Sequence, residues 1–139
     1  MKKTILLLLV VMIGLNLFSQ TEPTLKIKTC SKKFTDRSLP VDSIQQIRFT
    51  EHDLRKGKLK FSYRNGDGDA SVKRTIMIED STGKQLYSAD ASSFKIKSRV
   101  LREMLRTSTL RVYTMAIPSD PEKAKLVRVR RYQVAEFLY

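Results

Sequence analysis

Apolar and polar residues alternate strictly along several stretches of this chain, the period-two pattern of strands with one face buried. Leu25, Ile27 and Thr29 alternate with Lys26 and Lys28, and Ile47 and Phe49 with Arg48 and Thr50. The clearest run is residues 58–64, where Leu59, Phe61 and Tyr63 face one way and Lys58, Lys60, Ser62 and Arg64 the other. Asn65-Gly66 then opens a turn that accepts positive φ, and Val72, Arg74, Ile76 and Ile78 share a parity that predicts a strand over 72–79 returning antiparallel to its predecessor. Asp80-Ser81-Thr82-Gly83 is a turn of the kind that ends in a glycine bulge, so residues 84–88 close a hairpin. Phe94 and Ile96 alternate with Lys95 and Lys97.

At residue 99 the period changes. Val100, Leu101, Met104 and Leu105 recur at helical spacing, with Ser98 placed to cap and Arg99, Arg102 and Arg106 on the flanks, which predicts a short helix over 99–106. Residues 109–117 return to strand and are apolar enough on both faces to be central; Pro118 to Pro121 stop them. Residues 126–139 read as the longest strand, with a bulge near Arg130 and Arg131 that would bring Val127, Val129, Tyr132, Val134 and Leu138 onto one face. Residues 31–43 are polar and read as a loop, with Phe34, Leu39 and Val41 as packing points. The fold expected is therefore mainly β: one antiparallel β-sandwich of about seven or eight strands, immunoglobulin-like in general architecture, with one short helix and a closed barrel as second choice.

Ahead of the first strand, residues 1–19 have the form of a cleaved secretory signal peptide. Lys2 and Lys3 form a positive start, residues 5–18 are apolar apart from Asn16, and Ser19 is small enough to precede the cut. An apolar run of about 14 residues is short of the roughly 20 needed to cross a bilayer, so no transmembrane span is expected after cleavage. Residues 20–139 then form a single domain, periplasmic or secreted, and about 120 residues suffice for one core.

Removing Lys2 and Lys3 from the 27 basic residues leaves 25 against 14 acidic ones, a formal charge of +11 on the exported domain. Such an excess favours anionic partners. The cations are also ordered: Lys26 and Lys28, Lys58 and Lys60, Lys95 and Lys97, and Arg128 and Arg130 occupy alternate, outward positions of expected strands. If those strands share a sheet, one face is a cationic ladder; the plain alternative is a solvated face that discourages strand-to-strand aggregation.

Other chemistries find little support. One cysteine, Cys30, cannot form an internal disulfide and is expected to be buried and inert, or else to pair between molecules. Asn65, Asp67 and Asp69 place oxygens at every second position, as calcium loops do, but Ala70 and Ile76 stand where such a loop needs Gly and Glu, so a Gly- and Asp-rich turn is the first reading and a surface calcium site the lesser one. Glu51-His52-Asp53 is the one place where an imidazole adjoins carboxylates, and adjacent residues on an extended chain point apart. No cofactor is implied.

The expected function is a non-enzymatic binding module that meets an anionic component of the cell envelope on its basic face. A module that pairs with a protein partner through an edge or its C-terminal strand is the alternative, and a small hydrolase using His52 comes third. Nucleic acid is disfavoured, because the aromatics of residues 58–64 lie on the parity opposite the lysines, away from where bases would stack.

Overall fold

The computed structural model describes residues 23–36, 43–65 and 71–139; the expected signal peptide, Asp67 and Asp69 lie outside them. Among the described residues nine strands form in the order β1 (Thr24–Lys28), β2 (Lys33–Asp36), β3 (Gln45–Arg48), β4 (Lys58–Arg64), β5 (Val72–Glu79), β6 (Gln85–Ala89), β7 (Ser93–Lys97), β8 (Leu110–Pro118) and β9 (Arg131–Leu138). The described residues also form two helices: α1 (Ser98–Thr107) between β7 and β8, and α2 (Pro121–Leu126) between β8 and β9.

The strands divide into a four-stranded sheet, β2-β1-β4-β7, and a five-stranded sheet, β3-β9-β8-β5-β6, and no closed barrel is formed. The architecture is an immunoglobulin-like sandwich in general form, whose opening strands serve both sheets: β1 joins the first, and β3 runs parallel to the last strand, β9, in the second. As its apolar faces require, β8 sits at the centre of the larger sheet.

Period-two alternation decides what lies between the sheets. Leu25, Ile27, Leu59, Phe61, Phe94 and Ile96 point inward from one sheet and Ile47, Ile76, Ile78, Leu110, Val112, Val134, Ala135 and Phe137 from the other, forming one core. Phe137 binds the layers together: its ring meets Phe49 edge-on at 5.2 Å and reaches Phe61 across the sandwich at 6.3 Å. Phe61 in turn stacks on Phe94 at 4.9 Å. Leu101 and Leu105 of α1 belong to this core, so the helix closes one end, although Val100 is exposed.

Four local expectations need correction. Strands β4 and β5 are not a hairpin, because β4 already pairs with β1 and β7 on its two edges and β5 crosses to the other sheet. Residues 33–36 form strand β2, held against β1 by backbone pairing despite only one apolar side chain, Phe34, packing on the core. The last strand begins at Arg131, and its irregularity falls at Val134, which has no Cα partner where Gln133 and Ala135 face Tyr113 and Val112. That extra residue lets Val134, Ala135 and Phe137 all be buried. Ser98, finally, opens α1 without capping it: the cap residue is Lys97, and the buried Ser98 hydroxyl donates to the Lys56 carbonyl at 3.3 Å. The turn after β5 forms as expected, with Gly83 at φ 86° and the Asp80 carboxylate accepting from Thr82 and Lys84.

Strand β9 is hydrogen-bonded on both sides, to β3 and β8, and Phe137 is 0% exposed. Its removal strips the contact between layers. Phe137→Ala is predicted to cost about 3–5 kcal/mol, and deleting residues 136–139 to leave the protein unfolded, both read by urea denaturation. A loss below about 1 kcal/mol for Phe137→Ala would mean that the sheets do not depend on it.

Candidate functional site: a lysine lattice on the four-stranded sheet

Because Leu25, Ile27, Leu59, Phe61, Phe94 and Ile96 must face the core, Lys26, Lys28, Lys58, Lys60, Lys95 and Lys97 are forced onto the opposite, exposed face of the sheet. Register then aligns them. Lys28 faces Lys60, Lys60 faces Lys95, and Lys58 faces Lys97. The row extends one strand further, since Lys33 of β2 faces Lys28, giving Lys33-Lys28-Lys60-Lys95 across all four strands. Neighbouring strands lie about 4.8 Å apart, and alternate residues along one strand lie nearly 7 Å apart, so the ammonium groups spring from a two-dimensional grid. None of these lysines forms an ion pair with a carboxylate among the described residues.

Beside this row lies one of short side chains. Lys26 faces Ser62, and Ser62 faces Ser93. The two serines leave a depression of about 520 Å³ bordered by Lys26, Lys28, Lys60 and Lys95. Hydroxyl donors on a floor ringed by ammonium groups suit an oxyanion such as a carboxylate, sulfate or phosphate.

Arg128 and Arg130 stand apart from this face. They lie in the connection from α2 to β9, outside any strand, and border a different cavity of about 440 Å³ together with Tyr63, Arg74, Thr114 and Tyr132. Helix α2 precedes them and takes only Leu126 from the expected strand: Asp120 caps it, accepting from the Glu122 N–H at 3.0 Å, and Pro121 fits its first turn. Within that cavity Arg74 donates from Nη1 to Thr114 Oγ1 at 2.9 Å and lies over the Tyr63 ring at 4.9 Å. The eight cations singled out in the sequence therefore divide six and two. Lys33 is the member that the sequence did not reveal, because its strand carries one apolar residue and no readable alternation.

Of the remaining candidates, Asp53 and Glu51 take structural roles. Asp53 is buried and accepts from the Ser31 hydroxyl at 2.6 Å and from the Thr50 N–H and hydroxyl at 2.9 Å each, tying the β1–β2 turn to the turn after β3. Glu51 accepts from Arg102 at 2.8 Å and from the Tyr139 hydroxyl. His52 is exposed, and its imidazole makes no hydrogen bond among the described residues, so both neighbouring carboxylates are committed elsewhere. Cys30 is exposed, not buried, because the inward parity of β1 ends at Thr29 and the next side chain turns outward. Asn65 is exposed, and among the described residues no three His, Cys, Asp or Glu side chains gather as a metal set.

Compared with protein-family models, with curated proteins and with solved structures, the chain matches none.

The Ser31 hydroxyl and then the Thr50 N–H hold the Asp53 carboxyl below the ordinary aspartate range. A depressed folded-state pKa contributes stability that is complete above the unfolded value, near 4, and is lost as pH falls through the folded one. Asp53→Asn should cost about 1–3 kcal/mol at pH 7 and remove part of the acid limb of the stability curve. Urea midpoints measured from pH 7 down to pH 2.5 check both; an unchanged acid limb would assign it to other carboxylates.

Proposed function

We propose that this protein is an exported, non-enzymatic β-sandwich module that holds an anionic component of the cell envelope on the outer face of its four-stranded sheet. The observation that carries the reading is the in-register row Lys33-Lys28-Lys60-Lys95, flanked by Lys58-Lys97 and by the hydroxyls of Ser62 and Ser93. Like charges placed directly opposite each other on a sheet are destabilising. A face needed only for solubility gains nothing from concentrating lysines where they repel, since interspersed acidic residues would serve it better. An anion bridging the strands turns the repulsion into attraction.

Binding of this kind is charge complementarity with modest shape selection, screened over about 8 Å at physiological ionic strength. The export expected from residues 1–19 brings such a face to envelope glycans and headgroups and away from cytoplasmic nucleic acid. Recognition by strand addition retains the outer edges β2, β7, β3 and β6 as docking strands, whereas β9 has neighbours on both sides.

Lys60 has a lysine on either side, so neutralising it separates a functional face from a solvated one. Lys60→Gln is predicted to raise fold stability by about 0.2–1 kcal/mol while weakening salt-sensitive retention of the purified protein on isolated envelope material, with DNA as the polyanion control. The double variant Lys28→Gln/Lys60→Gln should lose most of that retention. Greater stability with undiminished retention would reduce the lattice to a solvent face.

A further inference from the structure

The connection that carries Arg128 and Arg130 combines two properties that the lysine lattice lacks together. Leu126 is 86% exposed, the most exposed large apolar residue of the described chain, and Val127 at 49% and Val129 at 37% follow it directly. Single exposed apolar side chains are ordinary, but three within four consecutive positions concentrate exposed apolar surface in one short segment. Around them, Lys123, Lys125, Arg128, Arg130 and Arg131 stand against only Asp120 and Glu122. Glu122 is engaged by Lys125 at 2.8 Å, and Arg131 pairs with Glu79, which leaves Lys123, Arg128 and Arg130 without an ion pair among the described residues. Burial does not hold the segment in place, since α2 has no buried residue; the Asp120 cap and Pro121 shape the turn that ends on Leu126.

We infer that residues 123–131 form a lipid-contact tip that sets Leu126 into an anionic bilayer surface, with Lys123, Arg128 and Arg130 meeting the headgroups. A soluble polyanion would use the cations and leave Leu126, Val127 and Val129 in water. A bilayer interface satisfies both, because acyl chains lie just beneath the charged headgroups. The stems of arginine and lysine cover apolar surface while their charges reach outward, and Arg128 and Arg130 border one cavity together with Val127. The lysine lattice is a separate surface, on strands β2, β1, β4 and β7.

The chain contains no tryptophan, so Leu126→Trp places a single reporter at the tip, on a side chain exposed enough for the fold to tolerate the change. The expected result is a blue shift of emission on adding vesicles of phosphatidylcholine containing about a third phosphatidylglycerol, absent with phosphatidylcholine alone and diminished by salt. Adding Arg128→Gln and Arg130→Gln should raise the lipid concentration giving half the shift by about tenfold or more, whereas adding Lys84→Gln, at an exposed lysine between β5 and β6 and outside both cationic surfaces, should leave it unchanged. Failure of the anionic vesicles to move the emission would overturn the tip. So would an equal shift with soluble dextran sulfate, which would make the segment a polymer site, or a loss of the shift through Lys28→Gln and Lys60→Gln, which would assign it to the lattice.

Discussion

Burial of alternate side chains against a single shared core is the constraint on which this structure depends. Leu25, Ile27, Leu59, Phe61, Phe94 and Ile96 close on the inner residues of the opposite sheet, with Phe61 and Phe137 meeting between them. The side-chain period of a strand is two, so whatever stands between those residues must face outward. The lysine lattice is thus the reverse side of the core. A register slip of one residue would bury the lysines and expose the phenylalanines together, so the same hydrophobic energy that sets the fold also holds the cations in line.

This coupling places a stability demand on the core. Cys30 is exposed and has no second cysteine in the chain to pair with, so no internal cross-link offsets the repulsion among in-register lysines. Packing of Phe49, Phe61, Phe94 and Phe137 supplies the margin instead, aided by polar ties between loops. Asp53 joins two turns through Ser31 and Thr50, while Arg102 ties helix α1 to Glu51. Each acidic residue used in this way is removed from the pool that could neutralise the lysines. Glu51 and Asp53 therefore serve the frame and leave the basic face uncompensated.

What the sequence made legible follows the strength of the period-two signal. In residues 58–64 three apolar residues alternate without a break, and the strand, its inward face and its outward lysines are all found where the pattern puts them. Sheet membership was not legible there, since β4 and β5 show the same parity whether they pair or cross the sandwich. Strand β2 carries one apolar residue, so its existence rests on backbone pairing to β1 that no side-chain pattern announces, and Lys33 was missed with it. In residues 126–139 a parity switch was readable, but its cause was not: residues 127–130 lie outside any strand, and the extra residue falls within β9 at Val134.

Arg128 and Arg130 mark where that ambiguity bears on the proposed contacts. As strand residues they would have joined a flat ladder; in a connection after a capped turn they flank exposed valines and lie beside Leu126. The two cationic surfaces differ in physical kind. A lattice floored by Ser62 and Ser93 offers charge and hydroxyls on a sheet, and its attraction decays with ionic strength over about a Debye length. The tip adds an apolar contribution that salt does not screen. A protein carrying both can approach an anionic surface through long-range attraction and remain there through short-range burial, so raising the salt should weaken first contact more than it weakens a seated tip.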